Sequence, residues 1–236
     1  MRGFGLPGDL TARVLIALNG NRVNDPVYDG GPIGPDLPLD LDLVERIEFI
    51  PGPGGAVHGQ NAMFGVVNVI TRTGADVDRT EAALRQRGLL RAREGRVSWG
   101  KQLDNGVDLL LSASGMRARG EDRLADFGAA GVTGVAAGLD GERDREFYAR
   151  IARGAGALDL VHGSRRKDDP TTSYGSDLLV AGQYVRDSHT GAQLLYQDRF
   201  AGDTLHVTGR LFAGAYRFRT IPRTGPRRLQ TGPAKV

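Results

Sequence analysis

Apolar and polar residues follow two different patterns along the chain. Up to about Gly74, short apolar runs are separated by segments rich in glycine and proline, whereas beyond it apolar and polar residues alternate over long stretches. Short apolar runs bounded by turn residues are typical of buried strands, and regular alternation is typical of strands with one apolar and one polar face. The pattern therefore predicts a small, mostly buried unit followed by a sheet of long two-faced strands.

Three apolar runs in the first part are predicted to be strands. Residues 13–18 form the first, and Asn19-Gly20 behind it is a strong hairpin signal. Ile47 to Ile50 and Val66 to Thr71 form the other two. The residues between these two include Pro51 and several glycines, which remove backbone donors and permit positive φ. We predict a turn there that is too rich in glycine and proline to be helical.

Two further segments of the first part are less regular. Residues 25–38 contain four prolines and three glycines, which predicts irregular surface chain. In residues 37–47 the leucines at every second position alternate like a strand, yet Leu39, Leu43 and Ile47 have helical spacing. The pattern alone leaves strand and helix open for this segment.

The second part is predicted to contain about seven strands, near residues 80–88, 96–103, 107–115, 144–153, 157–163, 192–199 and 204–216. One apolar and one polar face suits a membrane barrel, but a soluble sandwich produces the same alternation. Loop lengths favour the barrel, because tight turns alternate with long polar segments at about 117–143 and 164–191. The apolar piece Leu178 to Val185 then belongs to an outer loop.

Residues 45–72 carry a resemblance to a known family. Glu45-Arg46-Ile47-Glu48, Gly52-Pro53, His58-Gly59 and Gly65-Val66-Val67-Asn68-Val69-Ile70-Thr71-Arg72 resemble, in order, the plug-domain signature of TonB-dependent outer-membrane receptors. Pro51, His58 and Phe64 depart from the usual residues of that signature. Arg2-Gly3-Phe4-Gly5 and the hairpin at Asn19 also resemble the family plug, although an Asp is usual at position 19. Residues 141–171 resemble its early barrel more weakly.

The resemblance implies a fold and a domain division. Residues 1–76 are expected to form an α+β plug, a small mixed sheet with short helices, in which a short helix ends near Arg46. Residues 77–236 are expected to begin an antiparallel transmembrane β-barrel. Such barrels use about 22 strands around a plugged lumen. Seven strands leave the barrel incomplete, so we expect the chain to be a fragment.

The resemblance also implies a function in the bacterial outer membrane. An intact relative takes up a scarce ligand, such as a ferric siderophore or cobalamin, while a TonB-type energy-coupling protein pulls on the plug. The expected partners are that protein, outer-membrane lipid and an extracellular small molecule such as an iron chelate. The signature residues with a structural or gating role are Arg46, Glu48, Gly52, Pro53, Gly59, Gly65, Asn68 and Arg72. Of these, Arg46, Glu48 and Arg72 are expected to form ion pairs between plug and barrel.

Composition and motifs argue against other classes of protein. There is no cysteine, so neither a disulfide nor a thiolate metal site is possible. The net charge of +3 comes from 31 basic residues spread among 28 acidic ones, which argues against nucleic-acid binding. The four histidines are scattered, and no nucleophile elbow or phosphate loop is present. Gly3, Gly5 and Gly8 satisfy a dinucleotide-binding motif, but no strand precedes them. We expect no enzyme activity, no cofactor and no metal.

Two alternatives remain open at the level of sequence. The chain could be a non-transporting fragment whose plug half is a small soluble binding module, or an all-β soluble domain. No apolar run approaches the ~20 residues of a transmembrane helix, and the first five residues lack the apolar core of a secretory signal. Spanning β-strands need only ~10 residues of alternating pattern, so the outer-membrane interpretation is unaffected.

Overall fold

The chain forms two main β-sheets joined by a short helix. A computed structural model describes residues 11–88, 91–128, 131–171 and 177–224. The Arg2–Gly5 motif, the glycines at 3, 5 and 8 and the proline-rich stretch after residue 224 lie outside these ranges. Within the described residues, no helix has both the length and the apolar character needed to cross a bilayer.

The first sheet has four strands: β1 (Val14–Leu18), β2 (Asn21–Arg22), β3 (Val44–Pro51) and β4 (Gly65–Thr71). They run in mixed directions, in the order β2-β1-β4-β3. β1 runs parallel to β4, whereas β1–β2 and β3–β4 are antiparallel pairs. The two central strands are the most apolar and the most buried, as expected for strands covered on both faces.

Two local predictions for the first part are wrong. No helix ends near Arg46, because residues 41–43 form only a single 3-10 turn and β3 already begins at Val44. Leu39 and Leu43 are both buried in the core, and a 3-10 turn suffices to bring both there. The glycine-rich turn does contain an α-helix, the single turn α1 (Gly55–His58). Its prolines precede the helix, where a missing N–H costs nothing.

The described residues from Thr80 onward form nine strands. They are β5 (Thr80–Arg87), β6 (Ala92–Gln102), β7 (Val107–Ala118), β8 (Arg123–Phe127), β9 (Val132–Ala136), β10 (Glu142–Arg153), β11 (Gly156–Asp168), β12 (Tyr184–Phe200) and β13 (Leu205–Ile221). Seven of them form the second sheet, which is antiparallel, in the order β13-β12-β11-β10-β7-β6-β5. β8 and β9 form a separate hairpin.

The seven predicted strands are therefore present, and most are longer than expected. Asp177 to Gln183 lie outside the strands as predicted, although Tyr184 and Val185 belong to β12.

The two faces of the second sheet have opposite character, as the alternation predicted. Large apolar side chains on the outer face are exposed, among them Leu84, Phe147 and Leu211. The inner face carries polar residues and is covered by the first sheet. Within the described residues β5 and β13 form the two edges and do not pair with each other. The predicted fold class is confirmed: a mixed plug-like sheet precedes antiparallel strands that resemble an unclosed barrel.

One apolar core joins the two sheets. Leu39, Leu43 and Val69 of the first part pack in one cluster with Leu110 and Tyr148 of the second sheet. Leu110 interrupts the polar pattern of the inner face and is fully buried. Its position beneath the first sheet explains the exception, because a polar residue there would be buried without water.

A short helix, α2 (Gly74–Val77), fastens the end of the first part to β6 and β7. Both carboxylate oxygens of Asp108 accept hydrogen bonds from the helix, at 2.8 Å from the Gly74 nitrogen and 2.7 Å from the Ala75 nitrogen. The backbones approach so closely that a β-carbon on Gly74 would overlap the Leu109 carbonyl oxygen. A β-carbon on Gly100 would lie 2.6 Å from that of Val77. The joint therefore requires glycine on both sides.

Replacing Gly74 by alanine is expected to destabilise this joint. Because the new methyl group meets backbone rather than a flexible side chain, the free energy of unfolding should fall by about 1–3 kcal/mol. Urea unfolding of the chain in detergent, followed by the fluorescence of Trp99 on β6, measures the change. The matched control is Gly209→Ala on β13, where a β-carbon meets nothing within 4 Å. Equal stability of the two variants would contradict the prediction.

Candidate functional site

The predicted signature residues lie in one connected region, β3, the turn after it and β4. Gly52 and Gly59 have φ of +96° and +77°, values that favour glycine. Pro53 is exposed in the turn between them. Gly65 faces the opposite strand so closely that a β-carbon would lie 3.1 Å from the Ile50 carbonyl oxygen. These four residues shape the backbone and offer no reactive group.

Asn68 connects this region to the neighbouring hairpin. Its side-chain oxygen accepts a hydrogen bond from the Gly20 nitrogen at 2.8 Å, and its amide nitrogen donates to Glu48 at 3.0 Å. Glu48 also forms an ion pair with Arg46 at 2.9 Å. The Asn68 amide, followed by the Arg46 guanidinium, lowers the pKa of Glu48. Arg46 and Glu48 thus contact each other on an exposed face of β3, within the first sheet.

Arg72, in contrast, reaches the second sheet. Its guanidinium lies 3.0 Å from Oε2 of Glu81 on β5, and both side chains are mostly shielded from solvent. Arg96 of β6 lies 3.4 Å from the same oxygen and 3.4 Å from Asp42. The group therefore joins the end of β4, the 3-10 turn and the edge of the second sheet. Of the three residues expected to form ion pairs between plug and barrel, Arg72 is the one that contacts the second sheet in the described part of the chain.

A buried polar junction lies at the centre of the contact between the sheets. Asn19, in the left-handed region with φ of +49°, occupies the β1–β2 turn. Its amide nitrogen lies 3.0 Å from Thr71 Oγ1, 2.9 Å from the Tyr148 hydroxyl and 3.2 Å from Asp159. The Tyr148 hydroxyl in turn donates to Asp159 at 3.1 Å. We call these four residues the polar junction.

Two more side chains neutralise and orient Asp159. Arg150 forms an ion pair with it at 2.7 Å. The Gln193 amide nitrogen lies 3.4 Å from Asp159 Oδ2 and 3.3 Å from the Asn19 carbonyl oxygen. Tyr148 and Asp159 are almost completely buried. Buried polar groups are stable only when partnered, and here the partners come from both sheets. The polar junction is therefore made only when the first sheet is docked.

Sequence reasoning missed most of these partners. Tyr148, Asp159, Glu81 and Arg96 occur at polar positions of regular alternation and look like ordinary residues of a wetted sheet face. Asn19 gave the single available signal, because it stands where the resembling family usually has an aspartate. An aspartate there would place a second carboxylate about 3 Å from Asp159, an unfavourable like-charge contact; the neutral amide instead donates to it.

No group of three or more His, Asp or Glu residues in the described part of the chain is placed to hold a metal ion. The polar junction consists of hydrogen-bonded and paired groups without an exposed nucleophile. Its groups hold the two sheets together through hydrogen bonds.

Comparisons with known proteins point to one family. Residues 1–66 match the family model described as "TonB-dependent Receptor Plug Domain". The chain is 39% identical over 71 residues to the vitamin B12 transporter BtuB of Vibrio vulnificus, a match that covers 30% of this chain and 10% of the relative.

Solved structures share the fold at low sequence identity. The siderophore receptor PirA of Pseudomonas aeruginosa superposes with a TM-score of 0.57 at 16% identity, covering 89% of this chain and 34% of the receptor. The siderophore receptor PiuA of Acinetobacter baumannii gives 0.54 at 11% identity, covering 89% and 30%. This chain thus spans about a third of the solved receptors and a tenth of the curated relative.

Removing the hydroxyl of Tyr148 tests the polar junction. Tyr148→Phe leaves Asp159 and Asn19 each short of a buried partner, so the free energy of unfolding should fall by about 1–3 kcal/mol. The control is Tyr196→Phe, whose hydroxyl bonds only to Asp198 on an exposed face. Urea unfolding in detergent measures both. Comparable losses in the two variants would show that the junction adds nothing.

The capping carboxylate of α2 predicts a pH dependence. Asp76 accepts hydrogen bonds from the backbone nitrogen and hydroxyl of Thr73, and these lower its pKa below the ordinary value of 3.8. A lowered folded-state pKa contributes stability above the unfolded-state pKa, and that stability is lost as the pH falls through the folded value. Asp76→Asn should therefore be less stable than the native chain at neutral pH, and the difference should shrink below about pH 4.

Unfolding curves of the native chain and the Asp76→Asn variant across this pH range provide the measurement. Thr73→Val keeps the backbone donor to Asp76 and loses the hydroxyl donor. The pH-dependent part of its stability difference from the native chain should have the same sign and be smaller. A difference that stays constant with pH would contradict the assignment.

Proposed function

We propose that this chain forms part of a TonB-dependent outer-membrane receptor that imports a scarce ligand using energy from a TonB-type protein. The observation that carries the proposal is the plug match over residues 1–66, together with a plug-like sheet docked on the polar face of an unclosed antiparallel sheet. Relatives described as a vitamin B12 transporter and as siderophore receptors make cobalamin and ferric siderophores the ligands to test first.

In this proposal residues 1–76 are the plug and residues 77–236 begin the barrel. The end of the first sheet at Thr71 and the start of the second at Thr80 support a boundary within α2. The exposed apolar side chains of the outer face would contact lipid, which supports a location in the bacterial outer membrane. The role is transport rather than catalysis, with no cofactor required.

The signature residues have a structural role in the proposed gate. Gly52, Pro53, Gly59 and Gly65 shape the turn between β3 and β4. Glu48 pairs with Arg46 on β3, and Asn68 links Glu48 to the backbone of Gly20. Arg72 links the end of β4 to Glu81 of the barrel. A gate must stay closed at rest and still release under force, and a contact made of exchangeable polar bonds fits both requirements.

The rival interpretation, a soluble binding module made from the plug half alone, has less support. Leu110, Tyr148 and Val161 of the second sheet belong to the same core cluster as the plug leucines. A plug without the second sheet would expose that cluster and leave the Thr71 hydroxyl without its Tyr148 partner. The transport proposal uses both halves of the chain.

Uptake by cells that carry the native locus tests the proposal. Labelled cobalamin and a panel of ferric siderophores are offered to cells with and without the TonB-type protein. We expect one ligand to bind at the surface of both strains and to enter only the energised one. Recovery of the protein in the soluble fraction, or uptake that is unchanged without the coupling protein, would overturn the proposal.

A further inference from the structure

A cavity of about 300 Å³ lies between the irregular segment 25–38 and the inner face of β10 to β13. Asp144 and Arg165 on its wall are close to the start of β10 and the end of β11. These strand ends lead into the long connections, away from the tight turns near Gly154 and Gly202. The cavity is therefore at the long-loop end of the sheet, and its size suits a small ligand.

The wall of the cavity carries more negative than positive charge. Two basic residues line it, Arg165 and the exposed Arg145, against five acidic ones: Asp25, Asp36, Asp144, Glu146 and Asp187. Arg165 is already engaged, because it lies 2.6 Å from Asp36 and 2.6 Å from Glu142. Arg165 also lies opposite Asp144 in the pairing of β10 with β11, but Asp144, Glu146 and Asp187 form no direct ion pair within the described residues. The excess of carboxylates therefore favours a positively charged occupant.

Asp144 is the lining carboxylate that most clearly lacks a hydrogen-bond donor. It is only 7% exposed, and its Oδ1 atom has no hydrogen-bond partner in the described part of the protein. Asp187, in comparison, accepts a hydrogen bond from the Tyr216 hydroxyl at 2.8 Å. A buried carboxylate without a donor is costly. A ligand that brings an N–H group and a positive charge would satisfy it.

The other lining groups favour an organic cation over a bare metal ion. Tyr28 and Tyr216 place aromatic rings on the cavity wall, and ring faces attract ammonium and guanidinium groups. No three of the acidic and histidine side chains in the described residues are grouped closely enough to coordinate a metal. Amines need only one or two carboxylate contacts, which this wall provides.

We propose that this cavity binds a small organic cation, an amine or a guanidinium, with Asp144 as the principal anion and Asp187 beside it. The inference depends on the proposed function only for the route of entry, since the long-loop end would face the outside of the cell. Binding itself is a property of the chain and is measured without transport.

Titration calorimetry of the purified chain in detergent tests the site, with spermidine as the cationic probe and triethylene glycol as an uncharged probe of similar length. Spermidine should bind saturably and the glycol should not. Asp144→Asn, which keeps the shape and removes the charge, should weaken spermidine binding about tenfold, and Asp187→Asn should weaken it less. The control Asp126→Asn changes an exposed carboxylate on the β8–β9 hairpin and should leave binding unchanged.

A second measurement uses the native chain and so avoids any folding defect of a variant. A carbodiimide converts a carboxyl group into an O-acylisourea, and a bound neutral amine displaces the urea to form an amide. Peptide mass spectrometry locates that amide. Spermidine should be found on Asp144 or Asp187 well above Asp126. Equal labelling of all three, absence of saturable binding, or equal binding of the glycol would overturn the inference; so would tighter binding of Mg²⁺ than of spermidine. None of these results would affect the uptake test.

Discussion

A polar sheet face buried against a second sheet must have its charged and hydrogen-bonding groups matched across the contact. The inner face of β10 to β12 meets this requirement through groups that the first sheet supplies. Asp159 is paired by Arg150 from its own sheet, but Asn19 of the first sheet supplies a further donor at 3.2 Å. Tyr148 bridges the two sides. The docking of the first sheet therefore depends on polar complementarity at its centre as well as on apolar burial.

The contact between the sheets combines two kinds of joint. At α2 the backbones are in direct contact, and Asp108 caps the helix with both oxygens. At the polar junction, side-chain hydrogen bonds can be replaced by bonds to water at a small net free energy. The first joint leaves no room for water between the backbones, whereas the groups of the second could exchange their partners for water.

The sequence predicted the fold well where periodicity was strong. Seven two-faced strands and the β1–β2 hairpin followed from alternation and from Asn19-Gly20, and the resemblance predicted the plug-like mixed sheet. The predictions failed for short helical pieces. Residues 41–43 and 55–58 form single helical turns set by local contacts such as the burial of Leu43, and three or four residues carry too little periodicity to reveal them.

By itself, the sequence determined the two-faced strands, the turn backbone at Gly52 and Gly59 and the family resemblance, because these depend on residue type and spacing along one chain. The tertiary structure decided which polar residues are partners. Asn19 and Asp159 are 140 positions apart, and although Asn19 departs from the usual aspartate, no sequence pattern indicates that Asp159 is its partner. Likewise, only the covering first sheet explains why Leu110 is apolar, and only the folded surroundings leave Asp144 buried without a donor. Burial and partnership are properties of the assembled sheets, and no local pattern records them.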